Sequence, residues 1–190
     1  MLLYGREGVA QDRNGAFELV EEGARLGCHH CQGVMAECYW YMPDGHGSEA
    51  DSARSLELAR ESSGKGSRYG QYMLGWFYQS GEGGVARDYA QALALYRLAA
   101  AQNHDGAQNS LGLMYDNGHG VARDRAEALR WYQLAAAQGL PQALFNVAFC
   151  YEDGLGVRKN KDEAIRWYRR AQAAGDPDAA AALKRLRASP

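Results

Sequence analysis

The residues best equipped for chemistry are Cys28, His29, His30 and Cys31, a stretch with the C-x-x-C spacing of a redox dithiol and the ligand types of a zinc site. Neither chemistry finds its surroundings here. A dithiol motif of that kind follows a β-strand, and no strand pattern precedes Cys28; a structural zinc site takes four converging ligands. The spacing around the stretch instead predicts a helix start, with Cys31 at a core position that other parts of the chain fill with alanine. Buried cysteine behaves there as a small hydrophobe. Cys38 and Cys150 stand where Met114 stands elsewhere, and core filling is expected of them too.

The remaining chemical groups are scattered. His46 and His119 share a GHG loop but lie two repeat units apart, too far to hold one metal, so turn roles are expected. The glycine-rich SGEGGVARD from Ser80 lacks the G-K-S/T of a phosphate loop. Glu21 with Glu22, and Glu152 with Asp153, read as solvated helix ends, and no serine, histidine and acid set stands together. The expectation is therefore no catalytic residue, no metal site and no cofactor.

Charge and composition narrow the partners. Lys and Arg number 21 against 23 Asp and Glu, a net charge of -2 without the clustered positive field that nucleic acid or an anionic membrane needs. No apolar run approaches the ~20 residues of a membrane span, and MLLYGREGVAQD is too polar for a signal peptide. The four cysteines are too few and too uneven for a disulfide framework. In a helix Cys31 and Cys38 share a face but stand ~10 Å apart. Unpaired thiols favour a reducing compartment, with a periplasmic or secreted site the alternative if an export signal is missing from the start.

What positions these residues is repetition. Residues 111 to 139, LGLMYDNGHGVARDRAEALRWYQLAAAQG, have near copies from Leu74 and from Val147. Ala92, Ala128 and Ala164 fall 36 apart, as do Tyr96, Tyr132 and Tyr168. Within one unit, Ala107, Leu111, Met114 and Tyr115 form an i, i+4, i+7, i+8 stripe, helix A, which the DNGHG turn ends near Asn117. Asp124 with Glu127 reads as a capping box opening helix B, repeated as Asp88 with Gln91 and Asn160 with Glu163. Helix B carries Ala128, Tyr132, Ala135 and Ala136 and stops at Gly139; its copies stop at Asn103 and Gly175. Small residues at Gly75, Gly112 and Ala148 let the two helices approach, with tyrosine filling the remaining space.

One hairpin cannot bury both stripes, so its neighbours must. That makes the expected fold all-α, a right-handed α-solenoid, or α/α superhelix, of stacked antiparallel helical hairpins. A single array is expected over 1–190, with a partial first repeat at 1–27, repeats at 28–66, 67–103, 104–139 and 140–175, and a capping helix at 176–190. Asp51 should open helix B of the 28–66 repeat. That repeat diverges at Ala59, Ser62 and Ser63 and is expected to pack less tightly. In the last segment Asp176 is the expected N-cap and Pro177 the first helical residue.

The pattern A-x-x-x-L-G-x-x-Y, G-x-G-V, D-x-x-x-A and W-Y-x-x-A-A-x-Q-G resembles the Sel-one-like repeat, a relative of the tetratricopeptide repeat. The resemblance runs from about Val9 to Gly175 and implies a scaffold for protein complexes, in bacteria one serving signalling, secretion or host contact. Some cysteine-rich members bind or slowly hydrolyse penicillins but carry a cysteine pair in each repeat, which this chain does not. A weak hydrolase of that type, or a thiol or metal site at Cys28 and Cys31, is the rival reading.

Surface is then the candidate site. On helix A, the positions opposite the core stripe hold Asn109 and Leu113 in one repeat, Tyr72 and Trp76, or Phe145 and Phe149, in others, and Trp40 in a fourth. These aromatics either pack between successive A helices or anchor a partner segment on the concave face. Asn109, Asn146, Gln71 and Gln108 are candidate hydrogen-bonding groups for a bound backbone. The expected partner is a protein or peptide, with no nucleic acid and no membrane insertion. Self-association through an uncovered repeat end is a further possibility.

Overall fold

The computed structural model describes residues 13–41 and 49–188, and the described residues form ten helices with no strand among them. They fall into two compact units, Met1–Asp88 and Tyr89–Pro190. The first holds α1 (Arg13–Arg25), α2 (His29–Tyr41), α3 (Glu49–Gly64) and α4 (Arg68–Ser80). The second holds α5 (Tyr89–Ala101), α6 (Asp105–Asn117), α7 (Arg125–Ala137), α8 (Pro141–Asp153), α9 (Lys161–Ala173) and α10 (Ala179–Ala188). In both units each helix packs on the next in sequence, and in the first α2 also packs on α4, the next helix A. This is the architecture of an α-solenoid.

The turns follow from backbone chemistry. At the end of α7 the Gly139 N–H bonds Ala136 O at 3.0 Å and the Leu140 N–H bonds Ala135 O at 3.4 Å, a Schellman turn with Gly139 at φ +88. The same pair of bonds recurs at Gly27, Gly66, Asn103 and Gly175, so every described helix B ends alike. Glycine suits the left-handed backbone, and asparagine tolerates it at Asn103. In the other turn, Gly120 approaches the preceding helix B so closely that a Cβ would lie 2.6 Å from Tyr89 O, and Gly156 meets the Arg125 carbonyl in the same way.

The capping box forms only by half. Asp124 accepts from the N–H groups of Ala126 and Glu127, and Asn160 from that of Glu163. The reciprocal bond is absent because the Asp124 and Asn160 N–H groups reach back to Tyr115 O and Tyr151 O, at 2.9 and 2.8 Å. Asp88 does the same to Tyr78 O. Glu127 and Glu163 turn instead to Arg130 and Arg166 one helical turn on. Each junction is thus tied through the backbone of helix A.

Three expectations need correction. The helix holding Asp51 already runs from Glu49, so Asp51 lies inside its first turn and does not open it. The 28–66 repeat is closely packed: Ser55, Ala59 and Ser62 are fully buried, and Ser62 Oγ donates to His29 O at 2.6 Å. Gly33 and Gly70 make room for that side chain, since added Cβ atoms would lie 2.8 and 2.5 Å from Ser62 Oγ. Small residues here bring three helices together where the other repeats use a tyrosine. Asp176 does cap, accepting from the N–H groups of Asp178 and Ala179, but the helix starts at Ala179 and leaves Pro177 in the bend before it.

Candidate functional site

The helix A aromatics of the first unit converge. Trp40 of α2 and Trp76 of α4 lie with ring centroids 4.3 Å apart, and Phe77 meets both edge-on at 5.6 and 5.3 Å. Phe77 is fully buried, whereas Trp40, Trp76 and Tyr72 are half-buried against the core of Met35, Leu56 and Met73. Aromatic pairs at such distances add to the area they cover. The cluster both packs two A helices and leaves indole surface outward.

In the second unit the candidates separate into two kinds. Asn146 Nδ2 donates to Asn109 Oδ1 at 2.9 Å, a rung between α8 and α6 on successive A helices. Phe145 lies edge-on to Tyr168 at 5.0 Å and belongs to the packing. Leu113 and Phe149, at the same repeat position, stay 36% and 38% exposed. Gln108 and Gln71 are not peptide-facing: both are buried, and Gln108 accepts from Gln138 at 2.8 Å while donating to Asn103.

Of the acids read as solvated helix ends, Glu152 departs from that expectation and Glu22 keeps to it. Glu152 is only 12% exposed and receives the Tyr168 hydroxyl at 2.7 Å and the Arg185 guanidinium at 2.7 and 2.8 Å. Glu22 pairs with Arg25 within its own turn, as an exposed helix end does. In the first unit α1, α2 and α3 leave a cleft of about 270 Å³ lined by Met35, Tyr39 and Leu58 and by Arg25, Arg54 and Glu61. Of its charges, Arg25, Arg54 and Glu61 are each paired with a sequence neighbour, Glu22, Glu57 and Lys65 in turn, while Glu21 also lines it.

The histidines and cysteines sort by burial. His119 stacks on Tyr89 at 4.4 Å and serves the turn; His46 lies outside the described residues. Burial pushes the Cys38 thiol up to about 11 and that of Cys150 up to about 12, as core filling implies. Cys31 departs from the expected core position. It is half-buried, and its Sγ lies 2.8 Å from Cys28 Sγ at the start of α2. Among the described residues no three His, Cys, Asp or Glu side chains are placed to hold a metal ion, and no described helix is long and apolar enough to cross a membrane.

The comparisons agree with this architecture. The Sel1 repeat model matches residues 1–28, 68–104, 106–140 and 141–176, passing over the divergent repeat between the first two. The fold is similar to a Sel1 repeat protein from Oxalobacter formigenes, with TM-score 0.74 and 26% identity over 93% of this chain and 68% of that one. It is also similar to a protective antigen of uropathogenic Escherichia coli with an SLR fold, at TM-score 0.70 and 30% identity; the match covers 97% of this chain but 38% of the antigen. A Sel1 repeat protein from Klebsiella pneumoniae, 21% identical with TM-score 0.61, supports the fold alone. No curated protein matches the sequence. Sel1 repeat proteins are in general non-catalytic scaffolds for protein interaction. With four matched segments spanning most of its length and the hairpins stacked as described, the chain belongs to the Sel1 repeat family.

Proposed function

We propose that the chain is an interaction module that binds a segment of a partner protein on its helix A surface, with no catalysis of its own. The observation that supports this is the large apolar side chains that helix A leaves partly or wholly exposed within each unit. Leu113 and Phe149 are exposed at a position a merely solvated helix would fill with polar residues, and Trp40 and Trp76 are only half-buried in the first unit. Half-buried aromatics already fixed by packing lose little side-chain entropy on binding, which is what makes them anchors. Asn109 and Asn146, bonded to each other, keep a second lone pair and N–H for a passing backbone. Bacterial signalling, secretion or host contact is the setting in which such a scaffold would serve.

The test compares capture from an extract of the source cell by wild type and by the Leu113→Ser, Phe149→Ser double variant. A protein held only by wild type supports the reading and names the partner. Equal capture by both, or by neither, overturns the helix A site.

A further inference from the structure

Cys28 and Cys31 take no part in that binding surface. Cys28 occupies a junction: its N–H closes the Schellman turn of α1 by bonding Gly23 O at 2.9 Å, and its side chain stands just ahead of the first turn of α2. Cys31 returns to it twice, with Sγ at 2.8 Å and its N–H at 3.3 Å from Cys28 Sγ. We propose that Cys28 and Cys31 form a redox-active dithiol that cycles to a disulfide by exchange with disulfide-bearing molecules, Cys28 attacking and Cys31 resolving.

The geometry assigns the roles. The sulfurs need to close by under about 1 Å to reach the length of a disulfide bond. Cys28 is exposed, so an incoming disulfide can reach it. Its charged form accepts the Cys31 S–H and N–H at a helix N-terminus, which lowers its thiol below the ordinary range. Cys31 is half-buried, and burial pushes it up to about 11, so it waits as the thiol. Gly23 of α1 provides its space: a Cβ there would lie 2.6 Å from Cys31 Sγ.

The electrons balance without a metal. The Cys28 thiolate attacks one sulfur of a disulfide R–S–S–R, forming a mixed disulfide and releasing RS⁻, which takes a proton from water. Cys31 then loses its proton to solvent and attacks Cys28 Sγ, expelling the second RS⁻. Two protein thiols are oxidised to one disulfide, and one disulfide is reduced to two thiols. In place of the strand that such motifs ordinarily follow, a Schellman turn leads into Cys28 here and leaves it exposed.

The test treats the reduced chain with excess oxidised glutathione at neutral pH and reads intact mass, with circular dichroism confirming that each variant is folded. Wild type should lose two hydrogens, retain no glutathione and show its bridge between Cys28 and Cys31 by fragmentation. Cys31→Ser should keep one glutathione, and Cys28→Ser none. Iodoacetamide should label Cys28 at least about tenfold faster than Cys38 or Cys150. A wild type that stays fully reduced, that keeps glutathione as Cys31→Ser does, or that bridges through Cys38 overturns the assignment.

Discussion

Tyr168 donates its hydroxyl to Glu152 Oε2 at 2.7 Å across the α8–α9 hairpin, and Arg185 of α10 grips both oxygens of the same carboxylate. The tyrosine ring is fully buried, so its polar end would otherwise be stranded. One acid thus satisfies the core tyrosine and fastens the last helix.

Removing that acid should cost more than removing either donor. Tyr168→Phe takes away donor and need together and should destabilise by about 1 kcal/mol. Glu152→Ala leaves the buried hydroxyl without an acceptor and should cost about 2 kcal/mol. Arg185→Ala should cost under about 1 kcal/mol, because the arginine is largely exposed. Urea unfolding of the three variants checks the order; equal costs for Glu152→Ala and Arg185→Ala with none for Tyr168→Phe would show that the carboxylate serves Arg185 alone.

Burial raises Tyr132 and Tyr168 well above the ordinary tyrosine range, with nearby Asp116 adding to the first and the Glu152 bond to the second. A raised folded value means the native state keeps a proton that the unfolded chain gives up. Stability from these two side chains is complete below about pH 10, the unfolded value, and is lost as pH rises above it, by up to about 1.4 kcal/mol per unit for each. Cys38 and Cys150, pushed up by burial, add the same sign from about pH 8.5. Urea midpoints should hold from pH 7 to about 8.5 and then fall, with a shallower fall above pH 10 in Tyr132→Phe. A flat profile to pH 11 would contradict the burial.

The close approach of helix A and helix B is set by Gly112, where an added Cβ would lie 2.5 Å from Tyr132 Cδ1 and closer still to Cε1. Gly112→Ala should therefore cost about 1–3 kcal/mol through overpacking. The 28–66 repeat shows the compensated form of this pair, with buried Ala36 and Ala59 at the equivalent positions. Combining Gly112→Ala with Tyr132→Ala should cost less than the sum of the single changes, and strict additivity in a double-mutant cycle would sever the two sites.

The periodicity carried helix number, turn position and the A/B alternation because each repeat states them independently, and three agreeing copies leave little freedom. It carried less where a contact joins unlike positions. Trp40 aligns with Asp116 and Trp76 with Leu113, so no position-by-position comparison shows that their rings meet. Arg185 lies 33 residues beyond Glu152, in a helix outside the three strong copies, which left the acid looking solvated. Cys31 aligns with buried Ala107, and the register could not show that its nearer neighbour is the sulfur of Cys28. The C-x-x-C spacing was the local signal, set aside for want of a preceding strand, although two sulfurs at i and i+3 across a helix start share a face whatever the repeat requires.

The aromatics themselves can be sorted into packing and binding by what they do to stability. Trp76 contacts Trp40 and buried Phe77, so Trp76→Ala opens space beside the first unit's core and should cost about 2–3 kcal/mol. Phe149 and Leu113 are exposed, and Phe149→Ser or Leu113→Ser should shift stability by no more than about 0.5 kcal/mol. Thermal melting of the three variants separates them. If Phe149→Ser melts as far below wild type as Trp76→Ala, Phe149 is held by contacts within the fold and the outward apolar line shrinks to Leu113. If it melts with wild type, any loss of partner capture in the double variant belongs to the surface and not to the fold.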